Sequence, residues 1–147
     1  MIHYIDSSVL LRVVLGQAGR LLEWRKVTHG VSSSVAEVES LRTLDRLRLE
    51  SELEEEDFAR RRGVLLRILD SMTLVEPTRP VLARAAQPLP TALGTLDAIH
   101  LATALLYRDA VRQPVTVATH DRALARAARA HAFRVIGAER HAASATP

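Results

Sequence analysis

The chain has 147 residues, of which 48% are hydrophobic and 25% charged, which suits one globular domain and leaves no room for a second. It has no cysteine, which excludes disulfides and thiolate metal sites, and only 3% aromatic residues, which argues against a stacking platform for single-stranded bases. The net charge of +3 permits a polyanionic partner, and the many arginines suit phosphate contacts, although a GC-rich genome would also explain them.

In the first third of the chain, strands and helices are predicted to alternate. The spacing of apolar residues predicts a strand at 2–5, a helix at 9–15, a short helix near 21–24, a strand at 31–35 and a helix at 34–49. Ser7 or Ser8 is expected to cap the helix after the first strand. Asp6, which closes that strand, has two interpretations. It caps the helix, or it lies outside the carboxyl end of a strand, where doubly wound sheets bind ligands.

The middle of the chain begins with an acidic helix. Ser51–Glu54 has the pattern of a capping box for a helix that continues to about residue 69. The acidic start of this helix, through Asp57, is either a solvated helix face or a docking site for a basic partner. The elements that follow are a strand at 72–75, a helix at 78–86 and a proline-containing loop at 87–94, and loops beside a site often carry substrate contacts.

The last third contains a helix that is apolar except for one carboxylate in its first turn. Thr95 is expected to cap this helix, predicted at 96–107, which would place Asp97 near its second position. There Asp97 could simply interact with free backbone amides and the positive end of the helix dipole. The predicted domain, residues 1–138, is completed by a strand at 114–119, a helix at 121–131 and a strand at 133–136, and the tail at 139–147 is expected to fray.

Strands that alternate with helices predict a parallel α/β sheet with helices on both faces. In such a sheet Asp6, Asp97 and Asp121 are expected to meet near the carboxyl ends of the strands, joined by an acid from the helix after the second strand. That acid is either Glu37 or Glu39, because residues two apart on a helix point about 200° away from each other. Spacing alone does not choose between them.

Four carboxylates at one place repel one another unless a counter-charge is present. No lysine is near them in the sequence, so a hard divalent cation is the natural counter-charge, and Mg²⁺ or Mn²⁺ takes oxygen ligands. Such an ion lowers the pKa of a bound water and stabilises the charge that develops in phosphoryl chemistry. The acids therefore predict metal-dependent hydrolysis of a phosphate ester.

The motifs of several other hydrolytic and phosphate-binding enzymes are absent from the sequence. The sequence has no G-x-x-x-x-G-K-[ST] loop, no G-x-G-x-x-G after the first strand and no G-x-S-x-G elbow, which excludes P-loop NTPases, dinucleotide-binding enzymes and serine hydrolases of those types. The six histidines show no zinc-site spacing. His100, three residues after Asp97, is predicted to be a packed group or a neighbour of the ligands rather than a ligand.

Four segments together resemble a known family. They are Tyr4–Leu10, Ser33–Arg42, Leu96–Ala104 and Thr119–Leu124, and the third is the most specific. In order and spacing they are similar to the motifs of PIN-domain ribonucleases, specifically the VapC toxins of bacterial VapBC toxin–antitoxin pairs. The resemblance covers about residues 1–137. It implies a three-layer α/β/α fold with a mainly parallel central sheet of four or five strands.

The resemblance also implies a role for each acid. Asp6, Asp97 and Asp121 correspond to metal ligands of the family, and a V-E-x-x-R pattern that ends at Arg42 selects Glu39 as the fourth. These four acids are expected to bind Mg²⁺ or Mn²⁺ and to carry catalysis.

Three neighbours of these acids also match or depart from the family. Thr119 is expected to support the end of the site near Asp121, and Ser8 to lie beside the first ligand. His120 stands where an aromatic residue or asparagine is frequent.

The function that the resemblance implies is that of a toxin. It would be a metal-dependent endoribonuclease that cuts tRNA, rRNA or mRNA, forms a homodimer and is silenced by a VapB-like antitoxin. The antitoxin is expected in an apolar groove between the helices at 35–69, with an arginine that reaches the acids. Alternatives are a PIN-like nuclease outside toxin–antitoxin systems and a PIN scaffold that binds without turnover.

The cellular location follows from features of the sequence itself. The N-terminus has the pattern of a strand rather than of a signal peptide, and no apolar run reaches the roughly 18 residues that a membrane span needs. A cytoplasmic protein without membrane contact is therefore expected.

Overall fold

The computed structural model describes residues 1–19 and 21–138, so the predicted tail at 139–147 lies outside the described residues. Within them, a short 3-10 helix at Leu22–Lys26 accompanies five strands and six α-helices. The strands are β1 (Ile2–Ile5), β2 (His29–Ser33), β3 (Thr73–Val75), β4 (Val115–Ala118) and β5 (Arg134–Ile136). The helices are α1 (Ser7–Val14), α2 (Val35–Leu49), α3 (Glu55–Asp70), α4 (Arg79–Ala85), α5 (Thr95–Val111) and α6 (Arg122–Ala130).

All five strands form one parallel sheet in the order β3-β2-β1-β4-β5. The central strand β1 is buried along its whole length, as the apolar run at 2–5 predicts for a strand covered on both faces. Since every strand runs the same way, all carboxyl ends lie at one edge of the sheet. The predicted parallel α/β sheet is confirmed.

Helices cover both faces of this sheet, so the predicted three-layer α/β/α arrangement is also confirmed. On one face, α1, α2 and α3 pack in a cluster with Ile5 and Ala118. On the other, α5 and α6 pack in a cluster with Tyr4 and Val117, and α4 lies against α5. Crossovers between parallel strands are almost always right-handed. The helices that lead to β2 and β3, on one side of β1, therefore cover one face of the sheet, and the helices that lead to β4 and β5, on the other side, cover the opposite face. None of the helices in the described residues has the length and apolar character that crossing a membrane requires.

The sheet has a topological switch point between β1 and β4. The chain moves from β1 to β2 and β3 on one side, and it returns through α5 to β4 on the other side of β1. Adjacent helices then leave the sheet on opposite faces, which opens a crevice outside the strand ends where ligands of doubly wound folds bind. The backbone N–H of Asp6 donates to the carbonyl of Ala118 at 3.0 Å and closes the bottom of this crevice.

Three helices do not begin at the serine or threonine that was expected to cap them, and the first follows the alternative interpretation of Asp6 as an N-cap. The N-cap of α1 is Asp6, whose carboxylate accepts the Ser8 N–H at 3.4 Å, because Ser7 and Ser8 are already helical. Ser51 does not open a capping box, because it adopts φ 58° and follows the end of α2, and α3 begins only at Glu55. Gly94 is the N-cap of α5, so Asp97 is its third residue and not its second.

Gly137 offers a test of the contact between β5 and the crevice. It has φ +92°, and a Cβ added there would lie 2.6 Å from the carbonyl oxygen of Thr119. Gly137→Ala is therefore expected to lower the free energy of unfolding by about 2 kcal/mol, through backbone strain and through displacement of Thr119.

Urea denaturation measures this loss, and Gly16→Ala is the matched control. Gly16 also has a positive φ, of +63°, but open space surrounds its Cβ position. Only the backbone strain, roughly 1 kcal/mol, is expected there. Equal losses in the two variants would show that the contact with Thr119 adds nothing.

Candidate active site

Asp6 lies at the floor of the crevice, and its carboxylate is fixed by two hydroxyl groups. The side chain is buried, and its Oδ2 accepts hydrogen bonds from Ser8 Oγ at 2.5 Å and from Thr119 Oγ1 at 2.8 Å. Hydrogen bonds to an ionised carboxylate are among the stronger ones, so they hold Asp6 in one orientation. The sequence interpretations of Asp6 are therefore compatible, because it caps α1 and also faces the crevice.

Thr119 and Asp121 bring the end of β4 to the same place. The hydroxyl of Thr119 accepts the Asp121 N–H at 2.9 Å while it donates to Asp6, so it links the ends of β1 and β4. Asp121 is the N-cap of α6, and its Oδ1 accepts the Leu124 N–H at 2.7 Å. Its Oδ2 makes no hydrogen bond within residues 1–19 and 21–138.

Glu39 joins the group through a buried histidine. The Nε2 atom of His100 lies 2.5 Å from Glu39 Oε1 and 3.7 Å from Asp6 Oδ1, and its Nδ1 atom lies 2.8 Å from the hydroxyl of Tyr4. His100 must carry a proton on Nε2 to donate to Glu39. Of the two acids that spacing left open, Glu39 makes this contact and Glu37 does not.

The surroundings of His100 raise its pKa. Complete burial acts in the opposite direction, because it disfavours the charged imidazolium. The hydrogen bond to Glu39 and the negative charges of Asp6, Glu39 and Asp97 outweigh burial, and the net pKa lies above the ordinary value for histidine. The acids around His100 therefore favour its protonated form more than water does for a free histidine.

Asp97 reports the electrostatic field of the whole group. It is half-buried in the first turn of α5, and within the described residues it makes no hydrogen bond or ion pair. Burial, together with the charges of Asp121, Asp6 and Glu39, raises the pKa of Asp97 to about 6, against a smaller opposing effect of His100. A carboxylate stabilised by the helix N-terminus alone would have a lowered pKa, so the helix-dipole interpretation does not suffice. The structure connects Asp6 and Glu39 through His100, and the charges of Asp121, Asp6 and Glu39 reach Asp97.

The family model for the PIN domain matches residues 3–130 of the chain. The chain belongs to the PIN domain family. PIN domains are generally nucleases and typically use divalent metal ions.

Comparison with solved structures shows the same fold as the family model. A toxin–antitoxin complex from Klebsiella pneumoniae is similar with a TM-score of 0.60 and 16% identity, over 81% of this chain and 86% of that one. PAE2754 from Pyrobaculum aerophilum is similar with a TM-score of 0.57 and 18% identity, over 95% of this chain and 88% of that one. A search of curated proteins gives no match.

The acidic group of this PIN domain fits a divalent cation in donor chemistry and in charge. All four predicted ligands are carboxylates, and the pKa of Asp97 is raised first by its burial and then by the charges of Asp121, Asp6 and Glu39. As the side chains stand, however, no three histidine or acidic groups of the described residues form a set that could hold one ion. Ser8 and Thr119 donate to Oδ2 of Asp6, and His100 contacts Oε1 of Glu39.

Tyr4 was not among the predicted residues of the PIN domain site, whereas His100 was predicted as a packed neighbour of the acids. Tyr4 positions His100 from the central strand, and strand alternation, which turns Tyr4 toward α5, was the signal that could have found it. The structure confirms His100 as a packed neighbour of the acids. The backbone N–H of His120 donates to Ser8 Oγ at 2.9 Å, and its ring contacts the Gly137 carbonyl. His120 therefore helps to position Ser8 beside Asp6 without contacting the acids itself.

Proposed function

We propose that this PIN domain is a Mg²⁺- or Mn²⁺-dependent endoribonuclease that acts as the toxin of a type II toxin–antitoxin pair. Asp6, Glu39, Asp97 and Asp121 would hold the metal and carry catalysis. The position of Asp6 carries the proposal, because its carboxylate is fixed at the carboxyl ends of the central strands and is linked to Glu39 through His100. Membership of a nuclease family and similarity to a toxin–antitoxin complex support it.

Each side chain has a separate part in the proposed reaction. A bound dication would supply a water of lowered pKa and would neutralise charge on the phosphate. Asp6, held by two hydroxyls, offers a fixed oxygen at the floor of the crevice, while Asp121 offers Oδ2 from the start of α6. Asp97, which makes no hydrogen bond within the described part of the chain, is free to turn toward the ion. Glu39 would give up its contact with His100 and bind the ion instead.

The two acids of α2 provide the sharpest test. We expect Glu39→Gln to reduce Mn²⁺-dependent cleavage of total RNA by roughly 100-fold, because it removes a ligand charge. Glu37→Gln, two residues away on the same helix, is the matched control and should retain activity within about twofold of the wild type. Cleavage that survives in Glu39→Gln, or that persists with EDTA, would count against the assignment.

The proposed antitoxin site lies on α2 and α3. Val38 and Leu49 are exposed apolar residues of α2, and the first turn of α3 carries Glu55, Glu56 and Asp57. Glu55 and Asp57 already pair with arginines of α2 and α3. The apolar segment of an antitoxin would therefore dock on the exposed apolar residues, while its arginine reaches the acids of the active site. Co-expression with the product of an adjacent small gene tests the pairing, since a toxin is expected to co-purify with it and to lose its nuclease activity. A cytoplasmic location and a homodimer belong to the same proposal.

One observation favours a second candidate, a PIN scaffold that binds RNA or protein without turnover. The acids do not form a ready metal-binding set in the described residues. Purified protein, total RNA and a series of Mn²⁺ concentrations separate the two candidates. Binding without cleavage at every concentration would establish the scaffold. Cleavage without a neighbouring antitoxin gene would instead indicate a PIN nuclease of RNA processing.

A further inference from the structure

Three arginines lie on one face of α6. Arg122, Arg126 and Arg129 occupy the i, i+4 and i+7 positions, so their side chains leave the helix in nearly the same direction. We call this surface the arginine face of α6. The helix itself carries no acid, and none of the three arginines forms an ion pair among residues 1–19 and 21–138. The opposite face is buried and apolar, and it consists of Leu124, Ala125, Ala127 and Ala128.

This arrangement is unfavourable for the helix itself. Arg122 lies in the first turn of α6, where the positive end of the helix dipole repels a cation. Arg122 and Arg126 are also neighbours of like charge at i and i+4, which lowers the stability of a helix. Arginines of α2 and α3 such as Arg48 and Arg61, by contrast, form ion pairs with acids. An anionic partner on α6 would remove both unfavourable effects.

The arginine face begins beside the acidic site. Arg122 directly follows Asp121, so the two Cα atoms lie about 3.8 Å apart, and α6 leads from there away from the crevice. Arg126 follows one turn later, about 6 Å along the helix axis. Burial and, to a smaller extent, the charge of Arg12 lower the pKa of His120, which precedes Asp121, so Arg12 on α1 adds positive charge near the same end of α6. A strand that reaches the acids could therefore continue along α6.

The surroundings of the arginine face favour a nucleic acid over a protein or a membrane. Specific protein interfaces have an apolar centre, and helices that bind membranes carry large apolar residues beside their cations. In the part of the chain that the structure describes, no large apolar residue is exposed on α1, α6 or β5. The other outward positions of α6 are Ala123 and Ala130. Phosphate groups, in contrast, need only the guanidinium groups, which bind them through two parallel hydrogen bonds.

We propose that the arginine face of α6 binds the phosphates of the RNA strand on one side of the bond that is cut. This inference rests on the proposed function, and it adds the path that the RNA takes away from the acids. Phosphate contacts of this kind position a strand without reading its sequence. They are therefore expected to strengthen the binding of RNA of any sequence and to make that binding dependent on salt.

A binding experiment tests the arginine face without any cleavage. The anisotropy of a labelled single-stranded RNA of about 16 nucleotides is followed with metal-free protein in EDTA at several KCl concentrations. In the double variant Arg122→Gln, Arg126→Gln, we expect about tenfold weaker binding at physiological salt. The slope of log K against log salt should become shallower by about 1.4, because each phosphate contact to a single strand contributes roughly 0.7.

Two further double variants make the binding experiment specific. Arg62→Gln, Arg67→Gln is the matched control, because it removes the same charge from exposed arginines of α3 that make no ion pair in the described residues. It should bind RNA within about twofold of the wild type. Arg122→Lys, Arg126→Lys keeps the charge and should retain most of the slope. Equal losses in the α3 and α6 glutamine variants would show an effect of net charge alone and would overturn the inference.

A cleavage experiment connects the arginine face to the acids. With Mn²⁺, the KM of the same RNA is expected to rise about tenfold in Arg122→Gln, Arg126→Gln, with a much smaller change in kcat. The variant should unfold at the same temperature as the wild type or slightly above it, because two unfavourable charges are gone. An unchanged KM, or a loss that lies only in kcat, would contradict a surface that binds the strand.

The outcomes separate the arginine face from the proposed function. RNA binding that depends on Arg122 and Arg126, without cleavage by the wild type, would refute the nuclease and leave an RNA-binding face standing. Cleavage with the same KM and the same salt dependence in wild type and variant would refute the face and leave the nuclease standing. If the variant loses a co-expressed antitoxin and retains RNA, the partner of this face is a protein, which also overturns the inference.

Discussion

Asp97→Asn is expected to stabilise the metal-free protein at neutral pH and to reduce RNA cleavage by at least roughly 100-fold. The two effects have one cause, the charge of Asp97 among the other acids. This charge is unfavourable for folding without a metal, and it is the charge that a bound dication would use. Opposite changes in stability and activity are typical of a functional site and not of a packing residue.

The stability effect has a defined pH dependence. The pKa of Asp97 is about 6 in the folded chain, and it is about 3.9 in an unfolded one. The stability that the protonated group contributes is therefore fully present below about pH 4 and is lost by about pH 6. At pH 7 the asparagine variant should be more stable by about 1 kcal/mol, after allowance for solvent screening and for the lost interaction with the helix N-terminus. The gain should vanish near pH 4.

Addition of the metal should make the wild type more stable than Asp97→Asn. At about 100 times its dissociation constant, Mn²⁺ is expected to stabilise the wild type by about 2.7 kcal/mol and Asp97→Asn far less. Thermal unfolding in EDTA and in Mn²⁺ measures both effects. Asp109→Asn is the matched control, because Asp109 is an exposed acid at the other end of α5. A variant Asp97→Asn that cuts RNA normally, or that gains the same stability from Mn²⁺, would refute the metal assignment.

The elements and the topology were predictable because their signals are local. The run at 2–5 and the alternation of strands with helices require only neighbouring residues, and right-handed crossovers then fix the faces. Helix starts were less predictable. Ser51 has the side chain of an N-cap, yet the turn between two helices uses it in a left-handed conformation to end α2. Gly94 and not Thr95 caps α5, because the chain enters from the loop in an extended conformation.

The candidate site was predictable in composition and not in its contacts. Asp6 and Asp121 follow strands, so the edge of the sheet brings them together. The contact between Glu39 and His100 joins residues 61 positions apart, and the contact between Tyr4 and His100 joins residues 96 apart. Such contacts depend on how α2 and α5 cross the sheet, which spacing does not show. Spacing alone did not choose between Glu37 and Glu39, and the resemblance to the PIN family selected Glu39, the acid that contacts His100.

His100→Gln is expected to lower the free energy of unfolding of metal-free protein by about 2–3 kcal/mol at pH 6. The variant removes the imidazole that contacts Glu39 and lies near Asp6, and it leaves the Tyr4 hydroxyl with a poorer partner. Because the pKa of His100 is raised, its contribution is fully present below about pH 6.5, the unfolded value, and is lost as the pH rises through the folded value. The difference between wild type and variant should therefore shrink toward pH 9.

Urea denaturation between pH 6.5 and pH 9 measures this difference, and the part of the curves above about pH 7.5 is the part in which Asp97 is ionised. Subtracting one curve from the other also cancels the contribution of His120 to the pH dependence of stability. Burial lowers the pKa of His120, so this contribution has the opposite sign to that of His100. His29→Gln, at an exposed position, is the matched control and should leave the curve unchanged. Saturating Mn²⁺ should reduce the loss in His100→Gln, because the dication takes over the charge that the imidazolium supplies. Parallel curves for wild type and His100→Gln, with no effect of Mn²⁺ on their separation, would show that His100 is only a packing residue and that the acids need no counter-charge.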